Sequence, residues 1–395
     1  MKSNKRIFIC IAAAAAVLAA VLIICLGGGP GNEKLTDAQT LELWYADTDL
    51  MTSRVESLTA EYNVGEGARD GVTVNAKAFA GEAELYDALR NAAFFELPDL
   101  VICDTNFAAA LEAEDMLADI GDHFGKGDVR AFSDVFAMLS HYENDLIAIP
   151  LGATAGLYME NTKLLNGVSL PVDMEGLCEE AKSCYKSEGR SFFTMSDYSY
   201  FFRSAIAQLG EAFDAENPYD SDSENCKYVY NLLAETAYDR GFTACEGNPA
   251  QLVADGELSC ALVSTAEVMS AAAETDPAVC RFAEQPVIRG GEKVYALKVT
   301  GITMLDGSEN EELASAMFIK WLTDPDRLSK LNADTGYVSP NGSMICEGEI
   351  GKELKEIMHG YLKKYENVIA RADADFGGNM TAFNDVMRSI MISLG

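Results

Sequence analysis

The chain has 395 residues, 49% of them hydrophobic and 23% charged, which supplies apolar material for two domains of ordinary size and excludes a chain disordered throughout. Its formal net charge of −32 at pH 7 argues against nucleic-acid binding, because phosphates require neutralisation by Lys and Arg.

The N-terminus departs from that acidity. Lys2, Lys5 and Arg6 precede an uncharged apolar run at 7–26, whose 20 residues match the hydrocarbon thickness of a bilayer. Positive residues on that side keep the N-terminus in the cytoplasm and place everything after Gly27 outside. The exit, "IICLG", lacks the small residues of a cleavage site, and Ile24 stands where a small residue normally precedes a lipidated cysteine such as Cys25. A retained anchor is favoured over a cleaved or lipidated signal. Retained or lipidated, the chain is tethered to the outer face of the cytoplasmic membrane; cleaved, it is secreted. Setting aside Lys2, Lys5 and Arg6, 27 of the 30 basic residues remain against 62 acidic ones. The exported part therefore resists adhesion to anionic lipid, and its acidity reads as a solvated surface.

"GGGPGNEKLTDAQ" (27–39) is a flexible polar tether. A strand–helix alternation follows. "TLELWYA" (40–46) predicts a strand, 51–62 a helix, and "VTVNAKAF" (72–79) a second strand rich in β-branched residues. From Glu82, Leu85, Ala88, Leu89 and Ala92 fall on one helical face. "PDLVICD" (98–104) is short and continuously apolar, as a strand buried on both faces should be. This order predicts a mostly parallel sheet flanked by helices.

"DLIAIPLGATAGLYMENTKLL" (145–165) contains two strand-like runs, 146–149 and 157–159, split by Pro150, Gly152 and Gly156. A proline cannot donate to a sheet ladder, so the pattern predicts two runs separated by a break. Beyond it, 199–213 and 226–242 read as helices, and 258–274 as a strand running into a helix. "EQPVIRGGEKVYALKVTGITML" (284–305) returns to strand character after a Pro/Gly break. The stretch 308–323 is a helix with acidic residues in its first turn and Leu313, Met317 and Trp321 on one stripe, which makes Trp321 a packing residue. A third break, "ADTGYVSPNG" (333–342), precedes C-terminal helices.

Eight of the ten cysteines follow the apolar run, without a CxxC spacing. Cys103 and Cys260 sit in apolar runs as small buried hydrophobes. Cys178 with Cys184, or Cys226 with Cys245, are the candidate disulfides of an exported chain.

Taken in order, these features resemble the extracytoplasmic solute-binding proteins of ABC importers, in the group that includes maltose-binding protein. The resemblance rests on the export segment, "LELWYADTD", "ELYDALRNAAFFELPDLVICD", "AIPLGATAGLYMENTKLL" and "SENEELASAMFIKWLTDPDRLSKLNADTGYVSPN". It implies an α/β, two-lobed periplasmic-binding-protein-like fold of type II, each lobe a mostly parallel sheet flanked by helices. Lobe 1 is expected at 40–148 plus 292–333, and lobe 2 at 156–284 plus 341–395. Three inter-lobe crossings fall near 149–156, 285–291 and 334–341, with Pro150, Gly152 and Gly156 as hinge residues of the first. The implied partners are a small-molecule solute and ABC permease subunits; the implied state is a monomer without cofactor or metal.

Ligands of open α/β sheets sit beyond the carboxyl ends of strands. The candidate ligand-binding residues are therefore Trp44, Tyr45, Asp47 and Asp49 after the first strand, and Asp104 and Asn106 after the third. Tyr198, Tyr200, Ser264 and Glu267 come from the second lobe, and Tyr337 from the last crossing. Tyrosine faces and carboxylates suit a sugar, whose C–H faces pack on rings while its hydroxyls donate to acids. The same groups would also serve a cationic solute such as a polyamine. Trp44 alternates with Leu41 and Leu43 and has an equal reading as core; Asp47, Asp49 and Asp104 have parallel readings as helix caps. A ligand-sensing role on the same fold and an extracytoplasmic hydrolase are the alternatives. "GATAG" (152–156) has the spacing of a nucleophile elbow, but Thr154 replaces the serine and Pro150 precedes it. "DSDSEN" (220–225) lacks the glycine and the final glutamate of a calcium loop.

Overall fold

The computed structural model describes residues 34–124, 132–220, 222–245, 247–363, 368–369 and 371–395. The apolar run at 7–26 and the first part of the tether lie outside these residues. Among the described residues no helix is long and apolar enough to cross a membrane.

Gln39–Ala46 forms β1, Val72–Phe79 forms β2 and Leu100–Asp104 forms β3; β1 pairs parallel with both of the others. All five β3 residues are buried, as a strand covered on both faces requires. The first helix occupies Val55–Val64 after a 3-10 turn at Thr52–Arg54. It starts later than expected because an Asp49 carboxylate oxygen accepts from the Met51 and Thr52 amides and closes a turn there. A short helix, Glu66–Asp70, precedes β2, and the helix Glu82–Asn91 follows it. A small hairpin, β4 (His141–Tyr142) and β5 (Asp145–Leu146), leads into β6 (Ile149–Asn161). β7 (Phe193–Met195), β8 (Cys260–Ser264) and β9 (Cys280–Glu284) build the second half, and β10 (Leu297–Met304) returns to the first. The strand order is β2-β1-β3-β10-β6-β8-β7, with β9 also paired to β6.

The break expected at Pro150 is absent: β6 is one strand of 13 residues. Ile149 to Ala155 pairs antiparallel with β10, and Gly156 to Asn161 pairs antiparallel with β8 and β9. Pro150 is tolerated because it lies opposite Gly301, where the ladder register shifts between Thr300 and Gly301. The two glycines meet a need for close approach, since neither has a positive φ. A Cβ on Gly152 would stand 2.9 Å from Tyr337 Cδ1, and one on Gly156 would stand 2.5 Å from Gln285 Oε1.

The sheet is mixed, where mostly parallel sheets were expected. β2, β1 and β3 are parallel, as are β7 and β8, but β6 and β10 run antiparallel to each other. A chain that leaves one half through β6 and returns through the adjacent β10 must reverse direction.

Two main cores result. One packs Leu41, Leu43, Val74 and Ile102 against Phe318 and Trp321 of the Glu309–Leu322 helix. Trp321 packs on Tyr62 at 5.1 Å between ring centres and donates its indole N–H to Glu66 at 3.1 Å, in agreement with its packing role. The other gathers Tyr158, Met174, Phe193, Phe202 and Met387. The last helix, Ala374–Leu394, touches both halves: Gly377 lies against the Asn106 backbone, while Phe383, Met387 and Met391 fill the second core.

The cysteine pairings do not form. All eight described cysteines are free, and seven are buried. Cys178 and Cys184 lie six positions apart on the Met174–Glu188 helix, away from one another's face. The Cys226 thiol contacts the Pro218 carbonyl at 3.3 Å, and Cys245 accepts from the Thr194 hydroxyl at 3.5 Å.

Candidate functional site

A cavity of about 300 Å³ lies between the halves, beyond the carboxyl ends of β1, β3 and β8. β6 and β10 supply Thr154, Gly156, Lys298 and Thr300 to its wall. The first half contributes Asp49 and Glu82, and the second contributes Ser196, Asp197, Tyr200, Ser264 and Glu267. Tyr337, from the chain that follows the Pro325–Asn332 helix, closes one side.

Five of the residues expected at a site line this cavity: Asp49, Tyr200, Ser264, Glu267 and Tyr337. Asp49 uses one carboxylate oxygen for its turn and accepts from the Tyr337 hydroxyl at 2.8 Å on the other. Ser264 and Glu267 form the capping box of the Thr265–Ser270 helix. Glu267 also accepts from Ser196 Oγ at 2.8 Å, and burial raises its pKa against the pull of these hydrogen bonds.

Asp104 and Asn106 lie beneath the cavity wall. Asp104 is 1% exposed and caps the Thr105–Ala113 helix by accepting from the Asn106 amide at 2.7 Å. It also accepts from the Tyr200 hydroxyl, and Asn106 Nδ2 donates to that hydroxyl at 2.9 Å. Arg203 Nη1 donates to Asn106 Oδ1 at 2.9 Å, and the guanidinium faces Asp373 at 3.8 Å. Burial raises the Asp104 pKa and lowers that of Arg203, while their partners oppose both effects. This buried network joins the β3 end of the first half to the Tyr198–Gln208 helix of the second.

The remaining candidates lie elsewhere. Trp44 packs on Phe79 at 5.2 Å with the Lys77 ammonium over its ring, which makes it outer core. Tyr45 belongs to the first core, and Asp47 is exposed with its amide bonded to Phe79 O. Tyr198 and Tyr200 both occupy the first turn of the Tyr198–Gln208 helix, which is capped by Asp197. That turn sends Tyr200 to the cavity and Tyr198 into the second core, against Phe242. Pro150 sits in β6 away from the cavity, Gly152 lies under Tyr337, and Gly156 lines the wall.

Two cavity residues, Glu82 and Lys298, escape the sequence pattern. Lys298 Nζ donates to Glu82 Oε2 at 2.7 Å, and both side chains are about one quarter exposed, into the cavity. Burial raises the Glu82 pKa against the pull of Lys298. The same burial works against the Lys298 ammonium, yet Glu82, Asp197 and Asp104 outweigh it and raise its pKa. The available signal is a lysine inside the apolar strand "ALKVTGITM", since a lysine is seldom drawn into a central strand without a partner.

Chemically the cavity offers serine and threonine hydroxyls, carboxylates, one ammonium and tyrosine faces. None of the three histidines lines it: His123 meets Glu312 at 3.4 Å, and His141 Nδ1 lies 2.7 Å from Ala137 O. Among the described residues no group of three or more His, Cys, Asp or Glu side chains is arranged to hold a metal ion.

The mixed sheet, the strand crossing between halves and the polar cavity between them define a two-lobed binding protein. The profile of the bacterial extracellular solute-binding protein family matches residues 58–355, and the chain belongs to that family. Solved structures repeat the architecture. The GacH receptor of Streptomyces glaucescens is 16% identical, with a TM-score of 0.69 over 90% of this chain and 93% of its own. Maltose-bound MalE3 of T. maritima is 17% identical, with a TM-score of 0.67 over 90% and 98%. The cyclic α-maltosyl-1,6-maltose binding protein of Arthrobacter globiformis is 15% identical, with a TM-score of 0.65 over 91% and 95%. Comparison with curated proteins gives no match. Family and structural neighbours are binding proteins, and the family works outside the cytoplasm.

Proposed function

We propose that this chain captures a small polar solute, a sugar or a polyol, between its lobes and hands it to an ABC permease at the membrane. The observation that carries the reading is a cavity walled by hydroxyls, carboxylates and tyrosines drawn from both lobes. A solute touching both walls favours the closed arrangement by its differential affinity for that form. Support for a sugar or polyol comes from the neighbours, which are described with maltose, acarbose and ribitol.

In this reading Asp49, Tyr200, Ser264, Glu267 and Tyr337 touch the solute, while Asp104 and Asn106 hold Tyr200 in place. The lobes, 40–148 with 292–333 and 156–284 with 341–395, bend at 149–156, 285–291 and 334–341. The protein acts as a monomer without catalysis, tethered by its N-terminal segment. Thermal-shift screening of the chain from Asn32 onward tests the ligand class. A solute at 100 times its dissociation constant should stabilise the protein by about 2.7 kcal/mol. Shifts with spermidine and none with glucose, maltose or ribitol would reject the sugar reading.

A further inference from the structure

The carboxylates around the cavity differ in how they are satisfied. Asp49 holds Tyr337 and two amides, Glu267 holds Ser196 and the Ser264 amide, and Asp197 holds Ser199 and the Tyr200 amide. Glu82 is different, because among the described residues the hydrogen-bond partner of its side chain is the Lys298 ammonium, at 2.7 Å. Lys298 stands on a central strand, so its stem is fixed and its charge enters the cavity from the floor. Among the described residues it is the one basic side chain in a wall that carries four carboxylates.

We propose that Lys298 is a built-in counter-cation that occupies the place a ligand ammonium would take beside Glu82, and that it sets the cleft to accept neutral polyhydroxy solutes and reject cations. The inference rests on the proposed solute-binding role of this cavity. Rejection follows because an incoming ammonium would face the like charge of Lys298 in the place beside Glu82. A neutral solute fits without displacing anything: the pair presents one donor and one acceptor side by side, and neighbouring hydroxyls of a polyol can engage both. The through-space influence of Asp197 and Asp104, which holds the ammonium charged, acts in the same sense.

The test uses the chain from Asn32 onward as wild type, Lys298→Gln and Lys298→Arg. Binding of glucose, maltose and ribitol is compared with that of glucosamine, putrescine and spermidine by calorimetry. Wild type and Lys298→Arg should bind none of the three cations. Lys298→Gln should gain at least one of them with an affinity improved about tenfold or more, a factor that corresponds to 1.4 kcal/mol. Cation binding by wild type overturns the proposal, as does a folded Lys298→Gln that gains no cation. Should Lys298→Gln fail to fold, Lys298→Met keeps the apolar stem and is read by the same criterion. The two readings separate cleanly. Cation gain without any neutral sugar binding by wild type supports the role of Lys298 and rejects the sugar reading; sugar binding without cation gain does the reverse.

Discussion

Replacing Tyr200 with Phe removes one hydroxyl from the buried network between the lobes. That hydroxyl donates to Asp104, which is 1% exposed, and accepts from Asn106 Nδ2 at 2.9 Å. A hydrogen bond to a charged group contributes roughly 1.5–3 kcal/mol net. Breaking a buried charge pair outright costs about 3–5 kcal/mol, but Asp104 keeps two donors from Asn106, so the lower range applies. The ring itself stays, packed edge-on against Phe376 at 5.2 Å, so no cavity term is added. The expected total is therefore about 2–3 kcal/mol. Urea unfolding of the ligand-free chain from Asn32, followed by circular dichroism, measures the part that acts at all times; the midpoint should fall with the slope unchanged. Calorimetry with the bound solute measures the part that acts only when the lobes are together, each tenfold loss of affinity being about 1.4 kcal/mol. The two should sum to the expected total. If both stay within about 0.5 kcal/mol of wild type, the size of a neutral surface substitution, the network does not join the lobes as argued.

Three further outcomes follow from the same packing and charge. Gly377→Ala would place a Cβ into the Asn106 carbonyl and should cost about 1–3 kcal/mol or more in urea unfolding, whereas Gly378→Ala, whose Cβ meets only Ala110 Cβ at 4.0 Å, should be neutral or stabilising. Burial raises the carboxyl pKa values of Glu82, Asp104 and Glu267, so their stabilising contribution is complete below the ordinary carboxylate value of about 4 and is lost as pH rises through the raised folded values. Glu311, lowered by hydrogen bonds from Ser308, has the opposite sign but is a single group. Tm should therefore fall as pH rises above the ordinary carboxylate range, and a Tm that rises with pH there would contradict the assignment. The chain from Asn32 should titrate eight thiols once denatured, with Cys245 reacting first in the native state because the other seven are buried; fewer than eight in oxidant-free preparations would indicate a disulfide.

The elements legible in the sequence are those in which local pattern and tertiary burial agree. The continuous apolar run of β3 lands in the core that its rule implies, but of the stripe Leu313, Met317 and Trp321 only Trp321 does; Leu313 and Met317 are half-buried, and the helix buries Ala314, Phe318, Ile319 and Leu322 beside Trp321 instead. Tyr198 and Tyr200 show the limit. Both stand as ligand candidates in the sequence, yet Asp197 is a helix cap, and the helical turn then divides the pair between core and cavity. Glu82 and Lys298 escape because they are 216 positions apart, so neither strand nor helix periodicity relates them. Asp104 is legible from its place at a strand end, but its inward orientation depends on Tyr200 arriving from a helix 96 positions further on, to join the local partner Asn106.

β6 shows how breaking residues can sit inside a continuous strand. Pro150, Gly152 and Gly156 do read as interruptions when only their own strand is considered. Their neighbours explain why the strand persists: Gly301 stands opposite Pro150, Tyr337 covers Gly152, and the Gln285 side-chain amide closes on Gly156. The ladder partner changes between Ala155 and Gly156, from β10 to β8, so the strand is continuous while its support is not. Tyr361 spans that seam. Its hydroxyl donates to the Gly156 carbonyl at 2.9 Å and accepts from the Gln285 backbone amide at 2.7 Å, tying β6 to the chain just after β9. If the lobes bend at 149–156 and 285–291 as proposed, the change of ladder partner falls within the first of these crossings, and the Tyr361 link would make the two move together.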